Sequence, residues 1–159
     1  MRFLIALLFL VLVLPARASL GETEEQSVAR YGRPALALNP GDDASPGYRE
    51  LFFFKKGYEI RAYFLNGKCG FLRFTKLDQT DISKKEIQAL LRANRQGHQW
   101  TPPRVVTVEQ GWVRDDGGKG DYDAKYHWFR LSAPEYLNAK TARQKAAGAK
   151  YFRTLLKTD

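Results

Sequence analysis

The stretch from Glu50 to Leu77, ELFFFKKGYEIRAYFLNGKCGFLRFTKL, constrains this fold more than any other. Three aromatic-rich apolar runs are separated by Lys55-Lys56-Gly57 and Leu65-Asn66-Gly67. Gly and Asn-Gly breaks between such runs are the strongest short-range signal for antiparallel hairpins. The stretch predicts a three-stranded meander. With further strands and helices downstream, the chain reads as a single α+β domain, an antiparallel sheet packed with helices.

Loop length decides which face of the meander is core. A two-residue loop at Asn66-Gly67 pairs Leu65 with Lys68 and puts Ile60 on the face of Arg73. A three-residue loop, with Gly67 left-handed in a G1 bulge, pairs Phe64 with Lys68 instead. It gathers Tyr58, Ile60, Ala62, Phe64, Leu72 and Phe74 on one face, and Glu59, Arg61, Arg73 and Thr75 on the other. A one-residue slip moves every side chain to the opposite face, so the cleaner segregation favours three residues. The same loop length at Lys55-Lys56-Gly57 pairs Phe54 with Tyr58 and adds Phe52 to the core. Phe53, Tyr63 and Phe71 then fall on a mixed second face. A helix covers that face in part, or it is an interaction surface.

Three helices are signalled. Thr23 caps one over Glu22–Tyr31, with Val28 and Tyr31 as its apolar edge, Gly32 at its end and Pro34 beyond. Ser83 and Glu86 form a capping box, Ile82 and Ile87 a hydrophobic staple, and Ile87, Leu90 and Leu91 the buried stripe of a helix ending at Gly97. Trp100 follows as an edge plug of the core. Ser132 with Glu135, and Leu131 with Tyr136, signal a second box and staple at the start of a basic C-terminal helix, residues 133–157. Strands are expected at Arg104–Glu109, Gly111–Arg114 and Ala124–Leu131, with DDGGKGDYD as a loop and Asn39–Tyr48 as another.

Residues 1–18 read as a signal peptide: Arg2, an apolar run from Phe3 to Leu14, Pro15, then Ala16-Arg17-Ala18. That run is too short to span a bilayer. The remaining 19–159 is one domain long, exported to the periplasm or secreted, and begins at Ser19. The chain carries a net charge of +9.

Recognisable catalytic and metal motifs are missing. Cys69 is the single cysteine, so no internal disulfide forms. It reads as a small hydrophobe beside the Asn-Gly loop, on the mixed face. His98 and His127 stand outside any H-E-x-x-H spacing. Asp115, Asp116, Asp121 and Asp123 crowd one Gly-rich segment, but without EF-hand spacing. Gly118-Lys119-Gly120 lacks the remainder of a phosphate loop. No catalytic, cofactor-binding or metal residue is assigned, and no cofactor is expected.

The order of parts carries a resemblance. A helix ending Arg30-Tyr31-Gly32-Arg33-Pro34 leads into the YEIRAYFLNGK meander. A capped helix ending Leu90-Leu91-Arg92-Ala93-Asn94 and then Trp100 follow. Over Gly21 to Trp100 this resembles small exported bacterial proteins, and is similar to the SmpA/OmlA and beta-lactamase-inhibitor-like helix-plus-meander domains. The lipobox cysteine of SmpA/OmlA lipoproteins is missing here, so no binding residue is carried over.

These readings point to a non-enzymatic exported binding module. Its partner is a protein or an anionic envelope component, reached by peripheral membrane contact, and nucleic acid is not expected. Candidate surface residues are Phe53, Tyr63 and Phe71 on the meander and Lys140, Lys150, Arg153 and Lys157 on the C-terminal helix. Two alternatives stand beside it: a small hydrolase using carboxylates of the 115–123 loop, and an electrostatic binder of envelope lipid or polysaccharide.

Overall fold

The computed structural model describes residues 20–39, 48–102 and 109–155. The leader, most of the Asn39–Tyr48 loop, most of the Arg104–Glu109 strand and Lys157 lie outside them. The chain folds as one α+β domain around an antiparallel sheet. Helix α1 (Glu24–Tyr31) is followed by β1 (Leu36–Leu38), β2 (Tyr48–Lys55), β3 (Tyr58–Leu65) and β4 (Lys68–Lys76). Helix α2 (Lys84–Ala93) is followed by β5 (Trp100–Thr101), β6 (Glu109–Arg114), β7 (Lys119–Asp123) and β8 (Trp128–Ser132), and α3 (Pro134–Leu155) closes the order. The strands form one eight-stranded sheet, β1-β2-β3-β4-β8-β7-β6-β5. The chain thus lays down a helix and four strands twice, and the two halves join antiparallel along β4 and β8.

Both halves start with the same local chemistry. Thr23 caps α1 in a capping box with Gln26, and Ser83 caps α2 in one with Glu86. Both helices bury residues against the same sheet face. Tyr31 packs on Phe53 at 5.1 Å between ring centroids, and Ile87 and Leu91 are buried over the sheet. Gly120 of β7 lies beneath α2, where an added Cβ would stand 3.4 Å from Leu91 and 3.2 Å from Leu131. The core joins Leu51, Phe53, Ile60, Ala62, Phe64, Leu72, Phe74, Trp112, Phe129 and Leu131. In α1 the buried pair is Ser27 and Tyr31, while Val28 is exposed. Helix α2 ends at Asn94 rather than Gly97. The fully buried Asn94 side chain accepts from Leu20 N at 3.0 Å and donates to Leu90 O at 2.8 Å.

The meander forms as expected, but its loops are shorter. Lys55 pairs with Tyr58 and Leu65 with Lys68. Both central residues of each turn have positive φ, at Lys56-Gly57 and Asn66-Gly67, the two-residue geometry that matches strand twist. In β4 a bulge corrects the register: Phe64 pairs with Cys69 but Tyr63 with Phe71, which leaves Gly70 over. Ile60, Ala62, Phe64, Leu72 and Phe74 therefore still reach the core. No bulge compensates in β2, so Phe52 and Phe54 turn outward while Leu51 and Phe53 are buried. Phe53, read as a surface candidate, is a core residue. Cys69 sits beside Phe64 on the core side and is buried.

Four further expectations change. The DDGGKGDYD segment is a turn followed by strand β7, because Lys119–Asp123 pairs with both β6 and β8. The strand read at Ala124–Leu131 starts only at Trp128. Ser132 is the last residue of β8, paired with Lys119 and Phe71, so it does not cap α3. Strand alternation sends Leu131 into the core and α3 to the opposite sheet face, so Leu131 and Tyr136 form no staple. Tyr136 packs instead on Phe71, with centroids 5.2 Å apart.

Candidate binding surface

Helices α1 and α2 occupy one sheet face. On the other face, α3 covers one end. Its Tyr136 meets Phe71, Phe71 meets Tyr63 edge-on at 5.0 Å, and Arg143 lies over Tyr48 at 4.9 Å. Burial, with the Glu50 carboxylate close by, pushes the Tyr63 hydroxyl up to about 12. Tyr63 and Phe71 thus serve as the seat of α3. Lys140 is exposed on α3, and Lys150 and Arg153 lie in its final turns.

Beyond that seat, the strand register places one row of side chains straight across the sheet. Phe52 pairs with Arg61, Arg61 with Arg73, Arg73 with Arg130, and Arg130 with Asp121. Three arginines are thus direct cross-strand neighbours. Like charges directly opposite destabilise a sheet, by roughly 0.2–1 kcal/mol per pair. Two carboxylates offset the row. Glu59 lies 2.6 Å from Arg61 Nε and 3.7 Å from Arg73; Asp121 is 3.9 Å from Arg130. Aromatic rings hold the outer guanidinium groups, Arg61 over Phe52 at 4.6 Å and Arg130 over Trp128 at 3.8 Å. Arg73 Nε and Arg130 Nε have no hydrogen-bond partner among the described residues. Phe54, Leu36 and Leu38 extend the face as exposed apolar side chains.

The carboxylates of 115–123 do not converge. Asp121 faces the arginine row. Asp123 accepts from the Lys125 and Tyr126 amides in a turn. Asp115 and Asp116 sit near the far end of the sheet beside His98, whose Nδ1 is 2.6 Å from Asp115 and whose Nε2 is 3.6 Å from Asp116. These three side chains come within reach of one cation. Each carboxylate is already employed, however. Asp115 accepts from the Gln99 amide at 3.0 Å. Asp116 holds the buried Arg114 through two bonds of 2.8 and 2.6 Å, and this pairing holds its carboxyl below the ordinary range. Arg114 also donates to Asn94 O and Gln96 Oε1, both at 3.0 Å, pinning the end of α2. A cleft of about 580 Å³ opens beside this cluster and reaches Cys69. Burial pushes the Cys69 thiol up, the wrong direction for a nucleophile. His127 is paired with Asp81, which also accepts from Tyr122.

Glu59, Arg61, Arg73 and Thr75 share one face, as their alternation in the sequence predicts. Phe52, Trp128 and Arg130 join them without a local signal, because the β2 register and the β4–β8 pairing depend on contacts outside their own segments.

No family model and no curated protein matches the sequence. Among solved structures, the fold is similar to an extracellular protein containing an SCP domain from Bacillus anthracis str. Ames, with a TM-score of 0.41 and 12% identity. The match covers 74% of this chain, which spans 45% of that neighbour. Among the described residues, no helix is long and apolar enough to cross a membrane.

Proposed function

We propose that this chain is a non-enzymatic, exported binding module whose binding surface is the arginine–aromatic face of its sheet. Export rests on the leader read at residues 1–18. One observation carries the choice of surface: three adjacent arginines in a single cross-strand row, held by Phe52 and Trp128 and, among the described residues, ion-paired only with Glu59 and Asp121. A row that works against folding is expected where another molecule supplies the missing counter-charge. Arginine and tryptophan are also the residue types that dominate interface energies. The hydrolase reading receives less support, since the carboxylates of 115–123 point to three different places and Asp115, Asp116 and Asp123 already hold backbone amides or arginine.

The test is capture of envelope proteins by the purified exported protein, compared with an Arg73→Gln/Trp128→Ala variant of unchanged fold. Specific capture by the wild type that the variant loses supports the reading. Equal capture by both moves the binding surface elsewhere.

A further inference from the structure

Resting on that reading of the sheet face, we infer that the arginine row receives a carboxylate from an acidic, partly apolar segment of a protein partner. The uneven charge pairing is local. Glu59 serves Arg61 closely and Arg73 at 3.7 Å; Asp121 reaches Arg130 at 3.9 Å. Among the described residues the contacts of Arg73 and Arg130 are long, and the two side chains stay 27% and 37% exposed, while their Nε atoms are buried beneath without a partner. The two arginines are direct cross-strand partners, so one carboxylate laid across them would accept from the terminal amino groups of both. Arginine forks fit planar carboxylates by paired N–H donors.

The surroundings select the carrier of that carboxylate. Polyanionic lipid or polysaccharide favours an uninterrupted basic surface. Here Glu50, Glu59, Asp121 and Asp123 stand in the same face as the arginines and would repel a continuous polyanion. A segment with separated carboxylates and apolar side chains suits the mixture. Its charges meet Arg73 and Arg130, its apolar groups meet the exposed Phe54, Leu36 and Leu38 and the half-buried Phe52 and Trp128, and the resident carboxylates exclude wrong charge patterns.

The experiment measures binding of a labelled peptide alternating Glu and Phe, its Gln-Phe analogue, and vesicles of phosphatidylglycerol. The inference expects the Glu-Phe peptide to bind the wild type, and the analogue to bind about tenfold or more weakly, as loss of a paired charge does. Arg73→Gln and Arg130→Gln should each weaken the Glu-Phe peptide to a similar degree while their melting midpoints hold or rise. Arg73→Lys, which keeps the charge but loses the fork, should fall between. Equal binding of both peptides, or peptide binding unaffected by either Gln variant, overturns the inference. So do vesicles bound through these same arginines in place of the peptide. If neither peptide binds while Arg73→Gln/Trp128→Ala still abolishes envelope capture, the carboxylate assignment falls and the sheet face remains the binding surface.

Discussion

Residues on adjacent strands meet opposite environments. Ile60 is 4% exposed in the core, while Arg73, on the opposite sheet face, has a side chain 27% exposed. Ile60→Asp should destabilise by more than about 3 kcal/mol, since packing is lost and an unpaired carboxylate is buried. Arg73→Gln should leave stability unchanged or raise it by roughly 0.2–1 kcal/mol, because two like-charge contacts disappear. Denaturant melts of both variants check this contrast. Glu86 offers a second prediction. Hydrogen bonds from Ser83, then Tyr58, with Lys76 nearby, hold its carboxyl down to about 2 from 4.5. A depressed folded pKa adds stability that is complete above the unfolded value and lost as pH falls through the folded one. The stability gap between wild type and Glu86→Gln should therefore be constant above pH 4.5 and shrink toward pH 2. A gap that grows on acidification would mean that Glu86 does not act as an anion.

The helix signals were legible because capping boxes are local: Ser83-x-x-Glu86 was read correctly, and Thr23 was read as a cap without its partner Gln26. The three strands of the meander were legible for the same reason, as apolar runs with turn residues between them. Their register was not, because a compensating bulge at Gly70 answers to a helix far along the chain. An added Cβ at Gly70 would stand 2.8 Å from Tyr136 Cβ, so Gly70 lets α3 sit close on β4. Gly70→Ala should push α3 away and cost roughly 1–3 kcal/mol, as overpacking does. Tyr136→Ala leaves the offending Cβ in place, so the double variant should gain no stability over Tyr136→Ala alone. Thermal melts of the two single variants and the double test this; restoration of Gly70→Ala by Tyr136→Ala would show that the ring, not the close backbone approach, sets the limit. The false cap at Ser132 arose similarly, since its pairing with Lys119 and Phe71 outweighs a local motif.

At the scale of the molecule, two helix-and-four-strand halves form one sheet whose faces have separate tasks. One face is buried by α1 and α2, and most of the fold's apolar side chains are there. The other holds α3 at one end and the arginine row across its middle. That division was only half legible: the meander's polar side could be read from Glu59, Arg61 and Arg73, but β8 supplies Arg130 and Trp128 through a pairing that no local pattern announces. The central claim is that this open face, and not the helical one, meets a partner. Site-specific photocrosslinking in the native envelope tests it most directly, with benzoylphenylalanine placed at Phe54, which is 56% exposed on the sheet face, or at Gln88, exposed on α2. The account predicts a discrete protein adduct from position 54, lost when Arg73→Gln is added, and none from position 88. Adducts from position 88 alone would contradict it.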